Sequence, residues 1–201
     1  MRILDVGTAQ GYIGRELSAA GHHMYGIEYN DQWAAAAQQY YCEPIQVGDL
    51  DSLEPKYASK FFDVIILGAV LEHLKNPDQV LIRICRCLKD GGKVIISMPN
   101  VANWYIRLHL LLGNFDYQDR GIMDRTHLRF FTWKTFQQLL RDCRLSIVHH
   151  ESSPIPLPIV FPIMAEGRPL HIFHVLNNLI SKIRPPFFAF EFIVVANLER
   201  A

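Results

Sequence analysis

Arg2-Ile3-Leu4-Asp5-Val6-Gly7-Thr8-Ala9-Gln10-Gly11-Tyr12-Ile13-Gly14 is the stretch on which the fold turns. A short apolar run from Arg2 to Val6 passes directly into a glycine-rich turn, and the turn opens a helical stretch, Tyr12 to Ala20, that Gly21 closes. The glycines are spaced GxxxGxxG, with Asp5 two positions before the first of them. A dinucleotide fingerprint requires GxGxxG, because its second glycine lets a pyrophosphate sit against the helix N-terminus. Here that position is Ala9. A carboxylate at the strand end also repels a pyrophosphate and suits a ligand that carries an ammonium group, so a nicotinamide-dependent oxidoreductase ranks behind the readings developed below.

The same alternation continues outward. Met24 to Glu28 reads as a second strand, with Asn30 or Asp31 capping an alanine-rich helix, Gln32 to Tyr41. Ile45 to Val47 is a third strand ending at Gly48-Asp49, and Phe62 to Leu67 is apolar enough to be buried on both faces of a parallel sheet. Asn76-Pro77 opens a helix whose Val80, Ile84 and Leu88 share one side, with Asp90-Gly91-Gly92 as its stop. Lys93 to Met98 is a fifth strand. A helix from Val101 to Leu112, a loop through Asp124-Arg125-Thr126-His127, a helix from Thr132 to Cys143 and strands at Leu145 to His149 and Phe188 to Leu198 complete the series. Strands alternating with helices at this spacing predict a doubly wound α/β sheet with right-handed crossovers.

Length and charge exclude several classes. The 201 residues fit a single domain spanning 1–201. Lys plus Arg and Asp plus Glu are both 20, with no basic run, so nucleic acid is not an expected partner. No apolar run has the length of a membrane span, no signal peptide is recognisable, and a cytoplasmic protein is expected. Cys42, Cys85, Cys87 and Cys143 lack zinc-site spacing and read as reduced thiols. Seven of the eleven prolines lie between Pro154 and Pro186, which marks a helical insertion at 153–187. Within it Ile172, Val175, Leu176, Leu179 and Ile183 form an apolar stripe, read as a lid or packing element, with a dimer surface or weak contact with a membrane surface as the alternatives.

The acidic residue followed by GxxxG resembles the first motif of the class I S-adenosylmethionine-dependent methyltransferases, and the resemblance covers nearly the whole chain. It implies a Rossmann-like, mostly parallel seven-stranded sheet with an antiparallel last strand, and S-adenosyl-L-methionine as cofactor. Asp5 and the backbone of Gly7, Thr8, Ala9, Gly11 and Tyr12 would then face the methionine part of that cofactor. Glu28 matches the carboxylate that takes both ribose hydroxyls, Tyr29 would pack on the purine, and Asp49-Leu50 match the adenine-edge contact. Gly68 and Ala69 follow the fourth strand beside the donor. Three acidic positions at the ends of three successive strands suit a ligand lying across the sheet. Members of this family place a helical segment ahead of the first strand, whereas this sequence begins on the strand; a fragment of a longer protein, or an insertion acting as substitute cover, is the corresponding expectation.

Gly68-Ala69-Val70-Leu71-Glu72-His73-Leu74 resembles the Glu-His-Leu segment of small-molecule methyltransferases of this class, including those of quinone biosynthesis. A small-molecule acceptor methylated at a hydroxyl oxygen follows as the expected reaction. Histidine can take a proton near neutral pH, so His73 and His127 are the candidate bases, with Asp124 as an orienter of His127. His73 is preferred, because the end of the fourth strand lies at the central crevice. No gathered metal ligands are visible, so no metal is expected. The reading from a different class is a nonenzymatic binding or interaction domain of the same fold.

Overall fold

The computed structural model describes residues 1–155 and 178–199. Strands β1 (Arg2–Val6), β2 (His23–Glu28), β3 (Gln46–Val47), β4 (Phe62–Gly68), β5 (Leu88–Pro99), β6 (Leu145–Ser153) and β7 (Glu191–Leu198) form one sheet in the order β3-β2-β1-β4-β5-β7-β6. The first five run parallel, and β7 lies antiparallel between β5 and β6. This is the expected doubly wound, mostly parallel sheet of seven strands with an antiparallel last strand. The chain reverses its direction of travel across the sheet between β1 and β4, which opens a crevice above their C-terminal ends.

Helices α1 (Tyr12–Ala19), α2 (Asp31–Ala37), α3 (Pro77–Cys85), α4 (Trp104–Leu111) and α5 (Trp133–Asp142) connect the strands. Period-two alternation in β1 explains the two layers. Leu4 and Val6 join Ile65, Leu67, Ile84, Phe136 and Leu140 in the larger core on the α3 and α5 side, while Ile3 joins Met24, Ala34, Ala37 and Tyr41 on the other. A satellite of Ile106, Ile122 and Met123 secures the loop between α4 and α5, with Phe130 packed against it.

Several predicted boundaries move. Asn30 is the cap of α2, accepting from the backbone amides of Gln32 and Trp33, and residues 38–40 tighten into a 3₁₀ turn instead of continuing the helix. Helix α3 ends at Cys85, because Leu88 pairs with Phe62 in the sheet, and Asp90-Gly91-Gly92 is an irregularity inside β5 instead of a helix stop. Gly92 is required there, since a Cβ would sit 3.0 Å from the Asp63 carbonyl oxygen. Helix α4 starts at Trp104, where Asn103 caps it through the Tyr105 amide. The last strand begins at Glu191, because Pro185–Phe188 forms a helical turn whose Phe188 and Ala189 carbonyls accept from the Asn103 side chain. Most of the predicted 153–187 insertion lies outside the described residues, Ile172, Val175 and Leu176 included; residues 178–183 are helical, with Leu179 and Ile183 exposed. Among the described residues no helix is long and apolar enough to cross a membrane.

Candidate active site

The turn after β1 is built from backbone. Gly7 and Thr8 donate their amides to the Ile27 carbonyl at 2.8 and 3.3 Å, and the Gly11 amide closes the turn on the Thr8 carbonyl at 2.9 Å. Gly7, Ala9 and Gly11 all have positive φ, and a Cβ on Gly11 would lie 3.1 Å from the Ala37 backbone, so the second glycine position cannot carry a side chain without moving α2. The exposed Tyr12 begins α1 and donates to Gln10.

Two buried carboxylates frame this turn. Glu28, 5% exposed, accepts from the Ala9 amide through Oε2 at 2.8 Å and from the Asn30 amide through Oε1 at 2.9 Å. Each oxygen keeps a second acceptor direction for a ligand hydroxyl. Asp5, 1% exposed, accepts from the Tyr41 hydroxyl through Oδ2 at 2.6 Å, whereas its Oδ1 is buried without a partner. Burial lifts the Asp5 carboxyl to about 7, the Tyr41 hydrogen bond opposes the rise and nearby Glu28 adds to it. An unpartnered buried oxygen beside a second carboxylate suits a cation, which the ammonium group of S-adenosylmethionine would supply. The donor set therefore fits that cofactor. Tyr29 and Asp49 are exposed at the ends of β2 and β3, with Asp49 accepting from the Asp51 amide, and Leu50 is buried below them. Gly68 ends β4, and Ala69, also at positive φ, donates its amide to the Ser97 hydroxyl at 3.0 Å.

Beyond β4 the turn Leu71–His73 meets the loop that precedes α5. The Glu72 carbonyl accepts from the amides of Leu128 and Arg129 at 2.8 and 3.0 Å, which brings His73 and His127 together with ring centroids 4.8 Å apart. The His127 Nδ1 lies 3.0 Å from the Ile122 carbonyl and its Nε2 lies 4.0 Å from Glu72 Oε1. Asp124 does not orient this ring. Its Oδ1 accepts from the Thr126 amide and hydroxyl at 2.8 and 2.6 Å and so closes the turn, because those donors are two residues away and the imidazole nitrogens point elsewhere. Glu72 and Glu191 are functional candidates that sequence reasoning missed. The first stands inside the Glu-His-Leu segment already quoted; the second is an acidic residue in an apolar strand, opposite Pro99 at the end of β5. Burial lifts the Glu72 carboxyl to about 8, raises Glu191, and lowers His127 below the ordinary imidazole value. The sequence shows no gathered metal ligands, yet the structure does bring donor atoms of Glu72, His73 and His127 within 4.8 Å of one another. A cavity of about 1010 Å³ at the opposite end of the sheet, lined by Arg86, Lys89, Asp142 and Arg144, contains none of the candidate residues.

Residues 1–150 match the profile of a family described as a methyltransferase domain. The ubiquinone biosynthesis O-methyltransferase of Rickettsia akari is 31% identical over 117 residues, 57% of this chain and 47% of the relative. The enzyme of the same name from Aromatoleum aromaticum is 26% identical over 117 residues, 56% of this chain and 49% of the relative. The chain thus spans about half the length of the curated relatives it matches. A crystal structure of an S-adenosylmethionine-dependent methyltransferase from Methanosarcina mazei superposes with a TM-score of 0.66 at 19% identity, covering 97% of this chain and 91% of that one, which is a likeness of fold.

Proposed function

The chain belongs to the methyltransferase domain family, in its class I, S-adenosylmethionine-dependent branch, and from that premise we propose that it methylates a hydroxyl oxygen of a small molecule. The observation that carries the cofactor half of this reading is the paired carboxylates: Asp5 with one unpartnered oxygen and Glu28 anchored to the β1 and β2 turns. Asp5 would hold the ammonium group, Glu28 the ribose diol, the Gly7 to Tyr12 turn the methionine portion, Tyr29 the purine face, Asp49-Leu50 the adenine edge, and Gly68-Ala69 the wall beside the donor. When bound, S-adenosylmethionine supplies a methyl group on a positively charged sulfur that is displaced in line, so the protein has chiefly to position the acceptor. His73 and His127 face the acceptor side, and one of them takes the hydroxyl proton. The names of the curated relatives support oxygen as the methylated atom.

The test has two parts. Calorimetry with S-adenosylhomocysteine should show binding; no heat at millimolar ligand removes the methyltransferase reading and leaves a nonenzymatic domain of the same fold. Incubation with methyl-labelled cofactor and a cell extract should then yield a labelled methyl ether on mass spectrometry, and label on nitrogen or carbon removes the role of the histidines as bases.

A further inference from the structure

Glu72 is alone among the described residues in having both carboxylate oxygens buried without a hydrogen-bond partner, and its side chain is only 2% exposed. The groups around it are hydrogen-bond acceptors. His127 Nδ1 is 3.0 Å from the Ile122 carbonyl, and His73 Nδ1 is 3.2 Å from the Thr126 carbonyl. A carbonyl oxygen only accepts, so the His127 Nδ1 carries the hydrogen and the ring, which burial holds in its neutral form, presents a lone pair at Nε2. The charged groups that bear on Glu72 from β7 and from the loop before α5 are Glu191 and Asp124, both acids. A carboxylate in that company has only its own backbone amide near it as a donor, among imidazole lone pairs and acids, whereas a carboxylic acid brings a hydrogen of its own.

Spacing identifies what fits between these groups. A hydroxyl oxygen sits about 2.8 Å from each hydrogen-bond partner, and atoms 4.0 Å apart then subtend about 90° at it, an ordinary angle for such an oxygen. A metal ion about 2.1 Å from each atom would demand an angle of about 145°, far from tetrahedral. The rim is aromatic: the Phe130 ring centroid lies 6.2 Å from that of His127, with Phe115 and Tyr117 around it.

Resting on the methyltransferase reading, we propose that the acceptor's hydroxyl bridges Glu72 and His127, with Glu72 acting as a neutral carboxylic acid that donates to the hydroxyl oxygen while His127 Nε2 takes the hydroxyl's proton. The O–H bond breaks and its electron pair stays on oxygen. That oxygen forms its bond to the methyl carbon as the carbon–sulfur bond of the cofactor breaks with its electrons passing to sulfur. The proton leaves His127 to solvent afterwards. Glu72 holds the oxygen throughout, and a buried donor that stays neutral stabilises the developing negative charge without the repulsion a carboxylate would bring. His73, in ring contact with His127, keeps that ring in place.

The experiment uses the full chain saturated with S-adenosylhomocysteine and phenol as a probe, with anisole as the analogue lacking the O–H. Phenol should bind at millimolar concentration and shift the His127 ring signals in NMR, and anisole should bind at least fivefold more weakly. Between pH 7 and 9 phenol affinity should fall about tenfold as Glu72 loses its proton near pH 8. Glu72→Gln keeps a neutral donor, so its affinity should match the wild type at pH 7 and stay level to pH 9; Glu72→Ala should bind phenol about tenfold more weakly at both. Affinity that rises with pH, a Glu72→Gln variant as weak as Glu72→Ala, equal binding of anisole, or no phenol binding each overturns the proposal. So does micromolar Mn²⁺ broadening of both histidine signals, which would make the gap a cation seat. Failure of S-adenosylhomocysteine to bind is a separate result and counts against the methyltransferase reading itself.

Discussion

Glu28 and Glu72 are both buried, and both stand at or just beyond the C-terminal end of a parallel strand, β2 in one case and β4 in the other. Glu28 has each oxygen bonded to a backbone amide, from Ala9 and from Asn30, while Glu72 has neither oxygen bonded. The difference separates two ways of making a site. The cofactor side is assembled from turns that the sheet itself brings together, so its carboxylate doubles as a structural tie. The proposed acceptor side is assembled by a distant loop folding back over β4, and its carboxyl is left without a partner, at a cost in stability of the kind functional sites carry.

The largest expected effect falls on the acceptor side. With the acceptor found by extract labelling, His127→Ala should lower turnover by about 10²–10⁴ and leave S-adenosylhomocysteine affinity within twofold. Because burial holds His127 below the ordinary imidazole value, wild-type activity should persist below pH 6.5 before the acidic limb appears. A loss of cofactor affinity matching the loss of turnover would mean the two sides are not separable.

Glu28→Ala should strike the other side. The ribose diol loses its charged acceptor, which weakens S-adenosylhomocysteine binding by roughly 1.5–3 kcal/mol, about 10- to 150-fold by calorimetry. The Ala9 and Asn30 amides lose theirs as well, so a thermal melt should fall by several degrees, on the order of 1–2 kcal/mol of stability. A loss of affinity with an unchanged melting temperature would show that the two hydrogen bonds carry no structural weight.

How much of this contrast is legible in the sequence follows from the distance over which each part is specified. Asp5, Gly7, Gly11 and Glu28 can be read because a strand's apolar run, its terminal acid and its glycines are neighbours along the chain. Leu88 misleads because it satisfies the helical stripe of α3 and the pairing of β5 equally, and only the partner Phe62 decides between them. Phe188 reads as strand, yet Pro185–Phe188 turns helically under the Asn103 side chain, a long-range tie. His73 and His127 are both nameable as proton acceptors from residue type. Their meeting rests on the Leu128 and Arg129 amides reaching the Glu72 carbonyl, a backbone contact that leaves no trace in residue pattern. The same contact decides that His127 faces Glu72 and not Asp124.

Glu72→Gln offers an opposite effect. The folded carboxyl ionises at about 8 and the unfolded one near 4.5, so the native state binds the extra proton between those values. Stability is then fully present below pH 4.5 and declines as pH rises toward 8. Gln removes the titration and leaves a cost of burying an amide that does not depend on pH, so the melting temperature of the variant relative to the wild type should rise between pH 5 and pH 8.5 by several degrees, on the order of 2–4 kcal/mol. Equal melting curves at both values would mean that Glu72 is paired in solution.

The smallest expected effect is at Asp124, and it tests the contrast from the side of the loop. Asp124 closes a turn by accepting from the Thr126 amide and hydroxyl, and an Asn side chain offers the same acceptor oxygen at that place. Its charge bears on His127 through space, without a hydrogen bond to the ring. Asp124→Asn should therefore lower turnover by about threefold at most and shift the acidic limb slightly downward, since removing a nearby anion makes His127 harder to protonate. A hundredfold loss of turnover would mean that Asp124 swings onto the imidazole once an acceptor is bound, and the assignment of the ring's orientation to Ile122 and Glu72 would have to be given up.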